Sequence, residues 1–194
     1  EAADNGVVDF VFLGNVGVAQ DLENVARAVC LIKTDKAFLV HIVGIGPDLD
    51  KLKQTVEQLG VEEHFRFHGR HPLEEMPDFY RLADGCLLTL YDDTAAGLTI
   101  PGKLQGYLSA GKPVIGAIGG GAAQVIADSG CGLCAPPGKP EALAQVMTQF
   151  MEQPEQAAQM GKRGREYFEE HFSLDVFTSK LERQLAALSE DNRR

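Results

Sequence analysis

Short apolar runs alternate with longer amphipathic stretches along the first two thirds of the chain. The apolar runs are rich in β-branched and aromatic residues and end in glycine or polar residues, as buried strands do. They occupy residues 7–13, 38–43, 64–68, 86–90, 114–117 and 131–134. Between them, apolar residues recur every three or four positions, as in Leu22, Val25, Ala26 and Val29, which is typical of an amphipathic helix. The pattern therefore predicts six strands separated by helices.

Strands that alternate with helices at this spacing indicate βαβ units, whose right-handed crossovers build a parallel sheet. From Pro140 onward the pattern is helical only, in segments that begin near Pro140, Pro154 and Ser173. The sequence predicts an α/β fold: a Rossmann-like, doubly wound parallel sheet of about six strands with helices on both faces and a C-terminal helical extension. One domain is expected over residues 7–188, with residues 1–6 as a tail or linker stub and residues 189–194 as a tail.

Composition narrows the classes of function. The 194 residues are 44% apolar, enough for one full core. With 18 Lys+Arg against 28 Asp+Glu, the net charge of −10 has the wrong sign for a nonspecific nucleic-acid binder, so no nucleic-acid partner is expected. No apolar run approaches the roughly 20 residues of a membrane-spanning helix, and the first residues do not resemble a signal peptide.

The cysteines raise the question of redox or zinc chemistry, because Cys131 and Cys134 have the C-x-x-C spacing. No second cysteine pair or histidine pair completes a zinc site, and the motif falls on a predicted strand instead of a helix start. No metal is therefore expected, and buried thiols in a reducing cytoplasm are the simpler interpretation. Most cysteines lie within apolar runs; the four are Cys30, Cys86, Cys131 and Cys134.

A polar loop at 91–98 and the helix after it form the strongest candidate for an anion site. Pro101 suits the first turn of that helix, where a missing N–H removes no hydrogen bond. The loop and the helix N-terminus follow a parallel strand, at the edge where α/β sheets bind ligands. Lys103 could neutralise a phosphate there, or could lie over the sheet edge with its alkyl stem. The segments concerned are 94–97 and 101–103, with Thr94, Gly97, Pro101 and Lys103 as candidate contacts.

Two glycine-rich turns, Gly14-x-x-Gly17 and Gly44-x-Gly46, also follow predicted strands. Each precedes a helix whose free N–H groups could face a phosphate, and glycine lets the backbone approach a ligand closely. Neither turn completes G-x-G-x-x-G, and no acidic residue follows at the spacing of a dinucleotide ribose contact. Each turn could equally be a tight connection with no ligand.

The order IPxKLxxYLxAGKPVI at 100–115, followed by a glycine-rich loop and a helix that ends in SGCGL, resembles the donor-sugar domain of glycosyltransferase family 4. The bacterial members that build surface polysaccharides are the most similar in pattern. The resemblance covers roughly residues 7–188 and implies the GT-B fold, in which two Rossmann-like domains face each other across a cleft. It identifies the chain as the C-terminal, donor-binding half of a longer enzyme, without the acceptor-binding N-terminal domain.

The resemblance implies a retaining, nucleotide-sugar-dependent transferase of envelope or capsule polysaccharide assembly, transferring a hexosyl or acetamidosugar group. It implies no cofactor, a nucleotide-sugar partner with UDP-sugar preferred, and a cytoplasmic location at the inner face of the membrane, with peripheral membrane association through the other half. The isolated half is expected to be inactive, because transfer needs both substrates oriented in a closed cleft.

The resemblance also implies where the donor lies. The diphosphate would lie across the Gly14 loop and the helix near Pro101, and the base beside His68 to Arg70. Arg70 could stack on the base or contact phosphate, or could be an exposed side chain next to a capping histidine. The turn at Gly44 and Gly46 is implied to be structural. Catalytic residues are unassigned; the donor-binding set is Gly14, Asn15, Gly17, His68, Arg70, Thr94, Gly97, Ile100, Pro101, Lys103 and Gly106.

Four positions depart from the family pattern. The two glutamates of the family would fall at Leu98 and Gly106, and its basic pair at Asn15 and Gln20. Neutral groups at these positions stabilise developing negative charge less well. The alternatives are a GT-B relative without transferase activity, such as a nucleotide-sugar epimerase or a degenerate binding domain, and a flavodoxin-like interaction module without a nucleotide.

Asp92 and Asp93 are the remaining candidate for metal binding. Paired aspartates hold a cation in other glycosyltransferases, but adjacent acidic residues project in different directions. A solvated loop is therefore expected here.

Overall fold

The computed structural model describes residues 6–91 and 99–191. Its six strands are all parallel and lie in the order β3-β2-β1-β4-β5-β6, so the predicted fold class is confirmed. Each strand boundary lies within about one residue of the prediction. The strands are β1 (Val7–Leu13), β2 (Ala37–Val43), β3 (Phe65–Gly69), β4 (Gly85–Thr89), β5 (Val114–Ala117) and β6 (Gly132–Ala135).

Helices connect the strands and cover both faces of the sheet. Short 3-10 turns lie at Val18–Gln20, Glu62–His64 and Leu73–Glu75. The helices are α1 (Leu22–Leu31), α2 (Leu49–Leu59), α3 (Met76–Leu82), α4 (Gly102–Ser109), α5 (Gly120–Ser129), α6 (Pro140–Glu152), α7 (Pro154–His171) and α8 (Leu174–Asp191). The last three form the predicted C-terminal helical extension. None of the helices within the described ranges combines the length and apolar character needed to cross a membrane.

The alternation of side chains along the strands produces two hydrophobic clusters, one on each face of the sheet. On β1, Phe10 and Phe12 pack with α1, α2 and α6, while Val11 and Leu13 pack with α3, α4 and α5. Because a parallel sheet with helices on both faces is buried on both sides, its strands are continuously apolar. The polar residues Asp9 and His41 interrupt this pattern, and both are buried.

Hydrogen bonds between backbone groups join the loops after β1, β2 and β3. The Gly14 N–H donates to the Val43 carbonyl at 2.9 Å, and the Gly44 N–H donates to the Gly69 carbonyl at 2.7 Å. A Cβ atom on Gly44, whose φ is +147°, would overlap the Gly14 carbonyl. Gly44 is therefore required for the close approach of two loops, which agrees with a structural turn at this position.

Candidate functional site

A cavity of about 250 Å³ opens at the carboxyl edge of the sheet, above β1, β2 and β3. Three loops that follow these strands form it, together with Met76 at the start of α3. Parallel α/β sheets bind ligands at this edge, because the loops there converge on one crevice. The residues that line the cavity are Gly14, Asn15, Val43, Gly44, Ile45, Arg70, His71 and Met76.

Lys103 brings a positive charge to the same edge. Its alkyl stem passes over Gly14, where φ is +134° and a Cβ atom would lie 2.7 Å from the Lys103 Cε. The ammonium lies 3.9 Å from the centre of the Phe12 ring, and burial lowers the pKa of Lys103 to about 8. Within residues 6–91 and 99–191, no carboxylate forms an ion pair with this side chain. A partly buried cation is suited to bind an anionic ligand.

In the turn after β1, Gln20 and Asn15 lie in different surroundings. Gln20 is held in the turn: its Oε1 accepts the Gly17 N–H at 3.1 Å, and its carbonyl accepts a hydrogen bond from the Thr89 hydroxyl. Asn15 is exposed on the cavity side. At the two positions where the resemblance implies a basic pair, the chain therefore has one structural amide and one amide at the cavity.

His68 does not line the cavity. Its Nε2 lies 2.9 Å from the Nδ1 of His41, and its ring packs edge-on against Phe79 of α3, with the ring centres 5.2 Å apart. Burial, together with His41 and His71, lowers the pKa of His68. Arg70 does line the cavity, and its side chain is exposed. The His68 ring thus contacts His41 and Phe79, whereas His71 lines the cavity; contact of His68 with a ligand stays a prediction.

The sequence analysis did not identify Asp9, His41 or His71. Asp9 and His41 each interrupt an apolar strand, which is the signal that could have found them, because a buried polar side chain needs a partner. His71 lies one residue beyond the proposed base loop. Its Nδ1 contacts Glu75 at 2.6 Å and its Nε2 contacts the His68 carbonyl at 3.1 Å.

The start of α4 carries the rest of the predicted set. Pro101 lies directly before the helix, with φ −60° and ψ 136°, instead of inside its first turn. Ile100 is exposed, at 38%. At Gly106, a Cβ atom would lie 3.0 Å from the Tyr80 hydroxyl, so the Tyr80 side chain would have to shift slightly to admit a larger residue at this position. The predicted positions Thr94 and Gly97, and also Asp92, Asp93 and Leu98, lie outside the described residues.

The cysteines give no indication of redox or metal chemistry in the part of the chain that the structure describes. Burial raises the pKa of Cys86 to about 12 and also raises the pKa values of Cys131 and Cys134, which keeps these thiols protonated. Cys30 is exposed, so its expected burial is wrong. No cluster of three or more His, Cys, Asp or Glu side chains suited to a metal ion occurs among the described residues.

Comparison with known proteins gives the family. Residues 2–167 match the family model described as "Glycosyl transferases group 1". The chain belongs to this family. The six-stranded parallel sheet agrees with the Rossmann-like domain that the resemblance to GT-B enzymes implied.

Two curated relatives are similar to part of this group 1 glycosyltransferase chain. It is 33% identical over 145 residues to "Probable glycosyltransferase WbjE" of Pseudomonas aeruginosa, a match that covers 74% of this chain and 36% of the relative. It is also 33% identical over 137 residues to "GDP-mannose-dependent alpha-(1-6)-phosphatidylinositol monomannoside mannosyltransferase" of Mycolicibacterium smegmatis, which covers 69% of this chain and 34% of the relative. The chain thus spans about a third of the length of these relatives.

The fold is also that of a solved structure, Anabaena HepE in complex with UDP. The TM-score is 0.82 with 16% sequence identity, and the match covers 94% of this chain and 49% of HepE. At this identity the likeness shows the fold alone.

Proposed function

We propose that this chain is the C-terminal, donor-binding domain of a retaining, nucleotide-sugar-dependent glycosyltransferase of family 4. Its single domain would extend over residues 7–188 and would transfer a hexosyl or acetamidosugar group in bacterial surface-polysaccharide assembly. The observation that carries the proposal is Lys103, a partly buried cation that lies over Gly14 beside a cavity at the carboxyl edge of the sheet. Membership of the glycosyl transferases group 1 family supports the reaction class.

Different residues would contact the diphosphate and the base of the donor. Lys103 and backbone N–H groups at the start of α4 would bind the diphosphate, because an ammonium and a helix N-terminus both favour a bound anion. The loop at Gly14, Asn15 and Gly17 would lie along the same diphosphate. Arg70 would contact the base or a phosphate from the other side of the cavity. The proposed set also keeps His68, Thr94, Gly97, Ile100, Pro101 and Gly106.

The proposal names two candidate nucleotides for the donor. UDP-sugar is the expected donor, and HepE, which shares the fold, is named in complex with UDP. The mycobacterial relative at 33% identity is named as GDP-mannose-dependent, so GDP is the second nucleotide to test. No cofactor beyond the donor is proposed.

The acceptor side of the reaction would be supplied by sequence outside this chain. Both relatives are about three times as long as the part that matches. We place the acceptor-binding domain and any peripheral membrane contact in that remainder, with the enzyme on the cytoplasmic side. The isolated domain would bind donor without transferring sugar, because the acceptor would be absent.

A degenerate nucleotide-binding domain is the second candidate. It is favoured by one observation: the Gln20 side chain is used to hold the Gly17 N–H, so the position of a family lysine contributes no charge. Such a domain would bind a nucleotide without stabilising a leaving diphosphate.

Calorimetric titration of the chain with UDP and with GDP at pH 7 tests the proposal. We expect saturable binding of one nucleotide, weakened roughly 5- to 30-fold by Lys103→Ala, because charge-assisted hydrogen bonds contribute about 1–2 kcal/mol. Lys112→Ala is the matched control, since the Lys112 ammonium donates to the Ala83 carbonyl at the opposite edge of the sheet. Absence of binding by a folded sample, or equal weakening by both substitutions, would refute the donor site.

A further inference from the structure

A chain of buried polar side chains crosses three strands beneath α3 and ends next to the cavity. The Asp9 Oδ1 on β1 lies 2.8 Å from the His41 Nε2 on β2, and the His41 Nδ1 lies 2.9 Å from the His68 Nε2 on β3. Asp9 and His41 are 5% and 6% exposed. Burying a carboxylate and an imidazole is unfavourable unless each finds a partner, so this arrangement needs an explanation beyond packing.

The chemistry of these three side chains indicates which atom donates and which accepts in each hydrogen bond. The Asp9 carboxylate can only accept, so the His41 Nε2 carries a proton and donates to it. A neutral His41 then has an unprotonated Nδ1, and the His68 Nε2–H donates to it. Burial lowers the pKa of His68, which agrees with a neutral ring. His68 is therefore anchored through its side chain to the interior of the sheet.

The His68 backbone is anchored as well. Its carbonyl lies 3.1 Å from the His71 Nε2, and the other ring nitrogen of His71 contacts Glu75 at 2.6 Å. His71 therefore links the His68 carbonyl to the Glu75 carboxyl group through its two ring nitrogens. His68 is the junction at which the pair formed by Asp9 and His41 meets the pair formed by His71 and Glu75.

This junction lies at an irregularity of the sheet. Between β2 and β3 the register shifts, because Ile42 pairs with Phe67 but Val43 pairs with Gly69, which leaves His68 as the extra residue. Such bulges change the direction of the chain and are common beside functional sites. The two residues that follow Gly69 are Arg70 and His71, which line the cavity. We name Arg70 and His71 the cavity wall.

We propose that Asp9 and His41 are positioning residues for the donor site: they hold His68, and through His68 they fix the cavity wall in its ligand-binding position. The inference rests on the proposed function of the cavity. Neither Asp9 nor His41 touches the cavity, so each acts through His68 alone. The ligand is the nucleoside diphosphate part of the donor, whose hydrogen-bond acceptors the Arg70 guanidinium of the cavity wall would contact.

Other charged groups near Asp9, His41 and His68 do not replace the hydrogen bond between His41 and His68. The Asp84 carboxylate accepts the Asp9 backbone N–H at 2.8 Å, and Glu75 is engaged by His71. On α3, Arg81 pairs with Asp78, and both are exposed. Among the described residues, only His41 makes a polar side-chain contact with the His68 ring.

Two substitutions of His68 separate positioning from packing. His68→Gln keeps an N–H donor within reach of His41, whereas His68→Phe removes the donor but adds an apolar ring against Phe79. For nucleotide binding measured by calorimetry with UDP and GDP, we expect His68→Gln to stay within about two-fold of the wild type and His68→Phe to lose roughly ten-fold, as for an unpaired buried group. A packing role predicts the reverse order.

His41→Phe tests the buried histidine that links Asp9 to His68. We expect a loss of roughly ten-fold, and the double variant with His68→Phe should lose no more than either single variant, because all three break one connection. The matched control is His64→Phe. His64 is a half-buried histidine just before β3, stacked on Phe38 and hydrogen-bonded to the Phe38 carbonyl at 3.2 Å, and its replacement should change affinity less than two-fold.

The outcomes are distinct. If the wild type binds neither nucleotide, the proposed function and this assignment both fail. If the wild type binds and His68→Phe binds as well as His68→Gln, or His64→Phe weakens binding as much as His41→Phe, only the assignment fails. Circular dichroism and thermal melting establish that each variant is folded; if His41→Phe does not fold, the order of the two His68 variants decides.

Discussion

Nucleotide affinity should fall as pH rises from 7 to 9, because Lys103 titrates in this range. Burial lowers its pKa to about 8, so the ammonium is about 90% protonated at pH 7 and about 10% protonated at pH 9 in the free protein. If only the protonated form binds the diphosphate tightly, the Kd should be about ten-fold larger at pH 9, equivalent to about 1.4 kcal/mol. Lysines with an ordinary pKa remain charged over this interval and contribute no such change.

Calorimetry between pH 7 and pH 9 measures this effect. The terminal phosphate of a nucleotide has its second pKa near about 6, so the ligand stays ionised at that group. Binding near pH 8.5 should also take up a proton, which appears as a dependence of the measured heat on the ionisation enthalpy of the buffer. Lys103→Met should bind more weakly and without this pH dependence, whereas Lys112→Met should keep it. A slope that persists in Lys103→Met would refute the reasoning.

The same substitution should have the opposite effect on stability. The pKa of Lys103 is lower in the folded protein than in the unfolded chain, so the charged form destabilises the fold below pH 8. That loss is recovered as pH rises from about 8 toward the unfolded value of about 10.5. Lys103→Met should therefore raise the free energy of unfolding by about 1–3 kcal/mol at pH 7, and by less at pH 10. Urea denaturation at both pH values measures the difference; equal stabilisation at both would contradict it.

Three further substitutions test the packing around the site, each by urea denaturation. Gly14→Ala should destabilise the fold by about 1–3 kcal/mol and weaken nucleotide binding, because φ is +134° and the new methyl group displaces Lys103; unchanged binding would argue against the role of Lys103. Gly44→Ala should destabilise it by more than about 3 kcal/mol, because the methyl group overlaps the Gly14 carbonyl, and a mild effect would mean that the two loops separate easily. Tyr107→Phe should lose about 1–3 kcal/mol, since its buried hydroxyl accepts a backbone N–H of β1 and donates to a carbonyl of β4; a loss near zero would show that these groups find other partners.

Local pattern in the sequence was enough to predict the strands, the helices and the parallel sheet. Burial on both faces makes most of the strands largely apolar, as in the seven residues Val7–Leu13, where only Asp9 is polar. The same reasoning placed Gly14 and Lys103 at one edge, because the carboxyl ends of parallel strands lie together. Pro101 was placed one residue too far into the helix, since a proline suits both the position before a helix and its first turn.

Tertiary structure decided what these residues do, because the decisive contacts join positions far apart in the chain. The low pKa of Lys103 arises from burial over Gly14 and Phe12, and no property of its own helix indicates it. His68 was predicted from its own loop, but its hydrogen bond to His41, 27 positions earlier, depends on the pairing of two strands. Strand order brings β1, β2 and β3 side by side, and periodicity along a single chain carries no information about that order. The sequence by itself therefore determined the layers of the fold and the edge that carries the site, whereas the charge state of Lys103 and the anchoring of the cavity wall depend on neighbours that only the folded chain brings together.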